Sequence, residues 1–140
     1  MSEAADAVFR TALRIYWEDT DAGGIVFYAN YLKFFERART EWLRTRGVEQ
    51  EALRTRRGIV FVVTETALRY RAPARLDDVI DVSVDVVHAG QASMRFAQQA
   101  RRGPELLVDA TIRVGCVDAG TLRPSRIPND VLDALRTGSR

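Results

Sequence analysis

Three acids within four positions, Glu18, Asp19 and Asp21, precede two glycines, Gly23 and Gly24, and a short apolar run from Ile25 to Tyr28. A carboxylate on such a turn can serve as a general base or a nucleophile. Immediately beyond, Tyr31, Phe34, Phe35, Ala38 and Trp42 recur at i, i+3, i+4, i+7 and i+11, one face of an α-helix. Asn30 stands just before them and is a favoured N-cap type, so the spacing predicts a helix from about Tyr31 to Arg46 with Asn30 as its cap. The first turn of any helix has N–H groups without intrahelical partners, and these can hold a developing oxyanion. Asp21 and the helix entry together form the candidate site.

Other chemistries are narrowed by what the chain lacks. His88 is the single histidine, which removes HExxH and two-histidine metal sites, and no GxSxG is present. Cys116 is the single cysteine, so neither an internal disulfide nor a multi-cysteine zinc site is available. It falls in the apolar run of a predicted strand and reads as a buried, inert thiol. A rival reading makes Glu18, Asp19 and Asp21 an oxygen cage for Mg²⁺ in a metal-dependent hydrolase.

At 140 residues, 46% hydrophobic and 29% charged, the chain is expected to be one globular domain spanning 1–140. The formal net charge is only +2, and the densest basic cluster, Arg54, Arg56 and Arg57, reads as a solvated helix end. A nucleic-acid partner is therefore not expected. The apolar stretches, such as Gly58 to Val63, are too short to span a bilayer, and the first residues carry acids without an apolar core of a signal. A cytoplasmic protein with no stable membrane insertion is the expectation.

The elements that must position the site follow from periodicity. Phe9 to Trp17 alternates as a first strand, and the helix after it stops at Gly47. Val48 to Arg57 predicts a short second helix. Strands are then predicted over Ile59–Tyr70, Val79–His88, Ala92–Arg101 and Leu106–Cys116, with turns at Leu76–Asp78, Ala89–Gln91 and Arg102–Pro104. By parity His88 faces inward at the end of its strand, in a structural role. A C-terminal amphipathic helix uses Val131, Leu132 and Leu135. The class is α+β: a long bulky helix against one antiparallel sheet of about five strands. A single layer leaves an edge or face open and invites pairing with a second copy.

The stretch IYWEDTDAGGIVFYANYLKFFERARTE, with RAPARLDD further on, resembles the hotdog-fold acyl-CoA thioesterases. Within these it is similar to the 4-hydroxybenzoyl-CoA thioesterase family and its tol-pal-associated branch, from about Phe9 to Val117. The resemblance implies a central helix wrapped by a curved antiparallel sheet, and hydrolysis of an acyl-CoA or aryl-CoA thioester. It implies a homodimer or homotetramer with sites at the dimer interface. It matches the catalytic carboxylate to Asp21 and the carbonyl-polarising backbone N–H to the helix start at Tyr28. Gly24, Phe27 and Asn30 are the candidate substrate-binding positions beside them. No cofactor is expected, CoA being part of the substrate, and its phosphates would need cations from among Arg69, Arg71, Arg75, Arg95, Arg101 and Arg102. Many tol-pal members carry histidine where Tyr28 stands, whereas the other branch carries an aromatic, so the acyl group stays open. Hotdog folds also host hydratases and dehydratases, the second alternative.

Overall fold

The computed structural model describes residues 8–137. Strand β1 (Phe9–Arg14) is followed by a 3₁₀ turn (Trp17–Asp19) and by helix α1 (Asn30–Thr45). A short helix α2 (Gln50–Ala52) runs into a π turn over Leu53–Arg57. Then come β2 (Ile59–Tyr70), β3 (Val79–Ala89), β4 (Ser93–Arg102), β5 (Glu105–Asp118) and the C-terminal helix α3 (Asn129–Thr137). The strands form one antiparallel sheet in the order β1-β3-β4-β5-β2.

That order explains why α1 is central. β1 and β2 are consecutive strands but occupy opposite edges of the sheet, so the segment joining them must cross a whole face. α1 makes this crossing, and Tyr31, Phe34, Phe35, Ala38 and Trp42 are all buried beneath it. Facing them are Ile80, Val82 and Val84 of β3, Met94 and Phe96 of β4, and Ile112 and Val114 of β5. Each large apolar side chain removed from water contributes about 1.5–3 kcal/mol, so the aromatic stripe dominates the packing. Trp42 meets Phe96 edge-on, with ring centroids 5.6 Å apart. The helix ends where predicted: Gly47 adopts φ +73°, and the Val48 N–H returns to the Leu43 carbonyl at 2.9 Å. This is the hotdog arrangement. Among the described residues no helix is long and apolar enough to cross a membrane.

Three expectations are corrected. The alternation of the first strand stops at Arg14, because Trp17 opens a 3₁₀ turn and is 78% exposed. The second helix starts at Gln50, not Val48, and its last turn widens before closing on Gly58 at φ +70°. His88 does not face inward. The register of β3 on β4 slips between Val86, opposite Phe96, and His88, opposite Arg95. One extra residue turns the following side chain to the other face, so His88 is exposed beside an exposed arginine.

The core also contains a cation that the apolar periodicity did not announce. Arg39 of α1 is 8% exposed; its Nη1 donates to Gln98 Oε1 at 3.0 Å, and no carboxylate stands within ion-pair distance among the described residues. Burial pushes the guanidinium pKa down, with Glu36 acting in the opposite direction. Gln98, 1% exposed, donates its amide to the carbonyls of Phe35 and Ser83, both at 3.2 Å, which fixes its oxygen toward Arg39. Gln98→Leu should therefore lower the unfolding free energy by about 1–3 kcal/mol, although it adds apolar bulk, because a buried donor loses its acceptor. Urea denaturation checks this, and a Leu variant as stable as the parent would show that the pair contributes nothing.

Candidate active site

The acidic turn is a tight ribbon. Thr20 and Val26 form a bridge, the Asp21 N–H donates to the Ile25 carbonyl at 2.9 Å, and the Gly24 N–H returns to the Asp21 carbonyl at 3.0 Å. Gly24 sits at φ +82°, a left-handed conformation that a side chain would strain. Asp21 Oδ1 accepts the Gly23 N–H at 2.8 Å; Oδ2 accepts nothing among the described residues, and the residue is exposed. The nearer arm of the ribbon is held by the connection between β2 and β3: Val26 N–H donates to the Ala74 carbonyl at 2.9 Å, and Ile25 bridges Arg75.

One rung joins this ribbon to the helix. The Asp19 carbonyl accepts the Phe27 N–H at 2.9 Å and the Asn30 Nδ2–H at 2.9 Å. Asn30 is thus not the N-cap: it is the first residue of α1, Ala29 precedes it in helical conformation, and no side chain caps the helix. Its amide reaches back to the loop because the chain already turns helically at Tyr28 and Ala29. The ladder of the helix opens with the Asn30 N–H on the Phe27 carbonyl at 2.8 Å. Ahead of it, the N–H groups of Tyr28 and Ala29 find no acceptor among the described residues. Asp21 lies two residues along the ribbon from the Asp19–Phe27 rung, about 7 Å at strand rise. A free carboxylate oxygen and two free amides therefore leave the same short stretch of chain.

Aromatic rings surround the helix entry. Tyr28 is 62% exposed and Phe27 43%, their centroids 5.0 Å apart. Tyr70, at the end of β2, meets Tyr28 edge-on at 6.0 Å and Tyr31 at 5.9 Å, and its hydroxyl donates to the Tyr28 carbonyl at 3.2 Å. Burial raises the phenol pKa of both Tyr31 and Tyr70; Tyr28 adds to the effect at Tyr70, and a hydrogen bond with the Ala74 backbone opposes it at Tyr31. Both stay protonated at neutral pH. The sequence reading saw Tyr70 only as the end of a strand. No local signal marks a residue whose partner lies 42 positions away.

The acids do not form a cage. Asp19 Oδ2 takes the Tyr16 N–H at 2.8 Å, Asp21 Oδ1 takes Gly23, and Glu18 is exposed. Among the described residues no group of three metal-ligating side chains converges, so the Mg²⁺-cage reading of Glu18, Asp19 and Asp21 falls. Cys116 is buried and its thiol pKa is raised by that burial, which suits an inert residue. Of the six arginines considered for phosphates, three are engaged. Arg71 pairs with Asp109 at 2.9 Å, Arg102 with Asp78 at 2.6 Å and Glu105 at 2.7 Å, and Arg101 with Gln99 and the Pro104 carbonyl, both at 3.0 Å. Arg69, Arg75 and Arg95 are exposed, and no side-chain hydrogen bond occupies them among the described residues. A chamber of about 130 Å³, walled by Arg39, Leu43, Phe61, Val63, Met94 and Phe96, opens between α1 and β2. By helix rise, Arg39 lies about 16 Å from Tyr28, so the chamber is separate from the helix entry.

The profile of the Thioesterase-like superfamily matches residues 15–135. The chain belongs to that superfamily. It is 43% identical over 130 residues to the acyl-CoA thioesterase YbgC of Haemophilus influenzae, covering 93% of this chain and 96% of that one. It is 40% identical over 126 residues to the acyl-CoA thioester hydrolase YbgC of Escherichia coli O6:H1, covering 89% and 93%. Among solved structures, the DHNA-CoA thioesterase of Staphylococcus aureus superposes with a TM-score of 0.86 at 19% identity, over 91% of this chain and 88% of that one, which establishes the shared fold. Membership of the superfamily and the hotdog fold thus agree with the sequence resemblance.

The role of Asn30 separates two chemistries. A cap accepts, and aspartate serves there as well as asparagine; a clamp donates, and aspartate cannot. Asn30→Asp and Asn30→Ala should both lower stability, each by about 1 kcal/mol, the usual net worth of one hydrogen bond. Urea midpoints measure this, and an Asp variant matching the parent would restore the capping role.

Proposed function

We propose that this protein is an acyl-CoA thioesterase that hydrolyses its substrate to a free acid and CoA. The observation that carries the reading is the pairing of the Tyr28 and Ala29 N–H groups, which have no acceptor among the described residues, with Oδ2 of Asp21, likewise without a partner among them, on the ribbon clamped to the helix start. The thioester oxygen accepts from Tyr28 N–H, with Ala29 N–H beside it, and the negative charge that develops as the carbonyl is attacked strengthens both bonds. One such donor typically contributes about 2.7–4 kcal/mol to the transition state. Asp21 acts on the carbonyl carbon either directly, breaking the C–S bond to expel CoA thiolate and giving a mixed anhydride that water then hydrolyses, or through a water that it deprotonates and whose addition expels the thiolate. The names of the relatives at 40–43% identity support the acyl-CoA substrate class.

Gly24 and Phe27 border the path to the carbonyl, and Arg69, Arg75 and Arg95 are the cations left for the CoA phosphates. A second copy of the chain completes the site. β2 is a 12-residue edge strand, Val63 and Tyr70 on it are about half exposed, and Tyr16, Trp17, Phe27 and Tyr28 form an exposed aromatic surface beside the acidic turn. A hydratase reading has less support, since the single histidine is on the outer face of β3.

Asp21→Asn should lower kcat/KM for a susceptible acyl-CoA by about 10²–10⁴-fold, the usual worth of a positioned base, with circular dichroism and elution volume unchanged. Released CoA is read with a thiol reagent, over a panel of short aliphatic, long aliphatic and aromatic acyl-CoAs. Near-parental turnover by this variant would remove Asp21 from the chemistry. Enoyl-CoA hydration without thioester cleavage would favour the hydratase reading.

A further inference from the structure

The Tyr28 carbonyl is poorly served by its own helix. The donor three residues on, the Tyr31 N–H, stands at 3.4 Å, and the Leu32 N–H, four residues on, bonds the Ala29 carbonyl at 3.1 Å. The Tyr70 hydroxyl comes closer, donating to the Tyr28 carbonyl at 3.2 Å from a strand on the far edge of the sheet. The carbonyl of Tyr28 and the N–H of Ala29 belong to one planar peptide unit, on opposite sides of its C–N bond. Whatever fixes the direction of this carbonyl fixes the direction of that N–H, and a donor on the oxygen also polarises the amide toward stronger donation. An edge contact with Tyr28 and a tilted contact with Tyr31 hold the Tyr70 ring, so the hydroxyl has little freedom to leave the carbonyl.

We infer that Tyr70 is a positioning residue for the oxyanion site: its hydroxyl, through the Tyr28 carbonyl, aims and polarises the Ala29 N–H that donates to the thioester oxygen. The inference rests on the thioesterase reading above and adds to it a residue that reaches the substrate only through a peptide group. Because the Ala29 bond tightens as charge develops on the oxygen, Tyr70 acts in the transition state more than in the bound ground state. Its loss therefore appears in kcat and leaves KM in place. The placement also couples chemistry to the edge strand, since any shift of β2 along β5 moves this hydroxyl away from the helix entry.

Tyr70→Phe keeps the ring contacts and deletes only the hydroxyl. The expected result is a fall in kcat of about tenfold, the worth of one hydrogen bond, with KM and elution volume unchanged and the thermal midpoint lowered by no more than a few degrees. In the same variant the Tyr28 carbonyl ¹³C resonance should move upfield and the Ala29 amide resonance should shift with it. A kcat within about twofold of the parent overturns the inference, and so does an unmoved Tyr28 carbonyl resonance even if kcat falls. If the parent cleaves no thioester of the panel, the thioesterase reading fails and the inference fails with it. If the parent cleaves but Tyr70→Phe does so equally well, only the role of Tyr70 is lost.

Discussion

A single carbonyl oxygen ties the proposed site to the fold. Asp19 O accepts the backbone N–H of Phe27 and the side-chain amide of Asn30, both at 2.9 Å, and so clamps the acidic ribbon to the first residue of α1. Two hydrogen bonds of about 0.5–1.5 kcal/mol each are small beside the burial of the aromatic stripe, yet they act where no packing does. The ribbon is exposed at Asp21, Ala22, Gly23 and Gly24 and buries only Val26 in the core, so the clamp is its direct tie to the helix. The core fixes where the helix lies; the clamp fixes what lies in front of it.

The proposed site uses a weakness that every helix has. Most helix starts cover their free N–H groups with a Ser, Thr, Asp or Asn side chain. Here the residue at that place is Ala29, which offers no acceptor, and the nearby Asn30 points its amide elsewhere. Leaving donors open costs stability, and the structure offsets this by bracing the turn from outside through the Asp19 carbonyl and the Tyr70 hydroxyl. An uncapped helix end with external braces is what a site for developing negative charge requires.

The buried Arg39–Gln98 pair has the opposite logic. Gln98 is held by two carbonyls from α1 and β3, and it directs its oxygen to the guanidinium, so helix and sheet are keyed in one register. A purely apolar pair of similar volume would pack as well but would lack these directional contacts between helix and sheet. Sliding by one turn, about 5.4 Å, would carry Tyr28 out of reach of Tyr70.

Much of the molecule was legible in the residues alone. The helix face Tyr31, Phe34, Phe35, Ala38 and Trp42, the strands from Ile59 onward and the stop at Gly47 follow from periods of 3.6 and 2 and from one positive φ, all local properties of a short window. Asp21 and the helix entry were legible as candidates because they lie seven residues apart in the chain. The long-range facts were not. The edge-to-edge order of β1 and β2, the slip that turns His88 outward, the clamp role of Asn30, the burial of Arg39 and the bond from Tyr70 each join residues far apart in sequence or depend on register. Register and donor–acceptor choice are decided by which surfaces meet after the helix has crossed the sheet, and no local pattern carries that information.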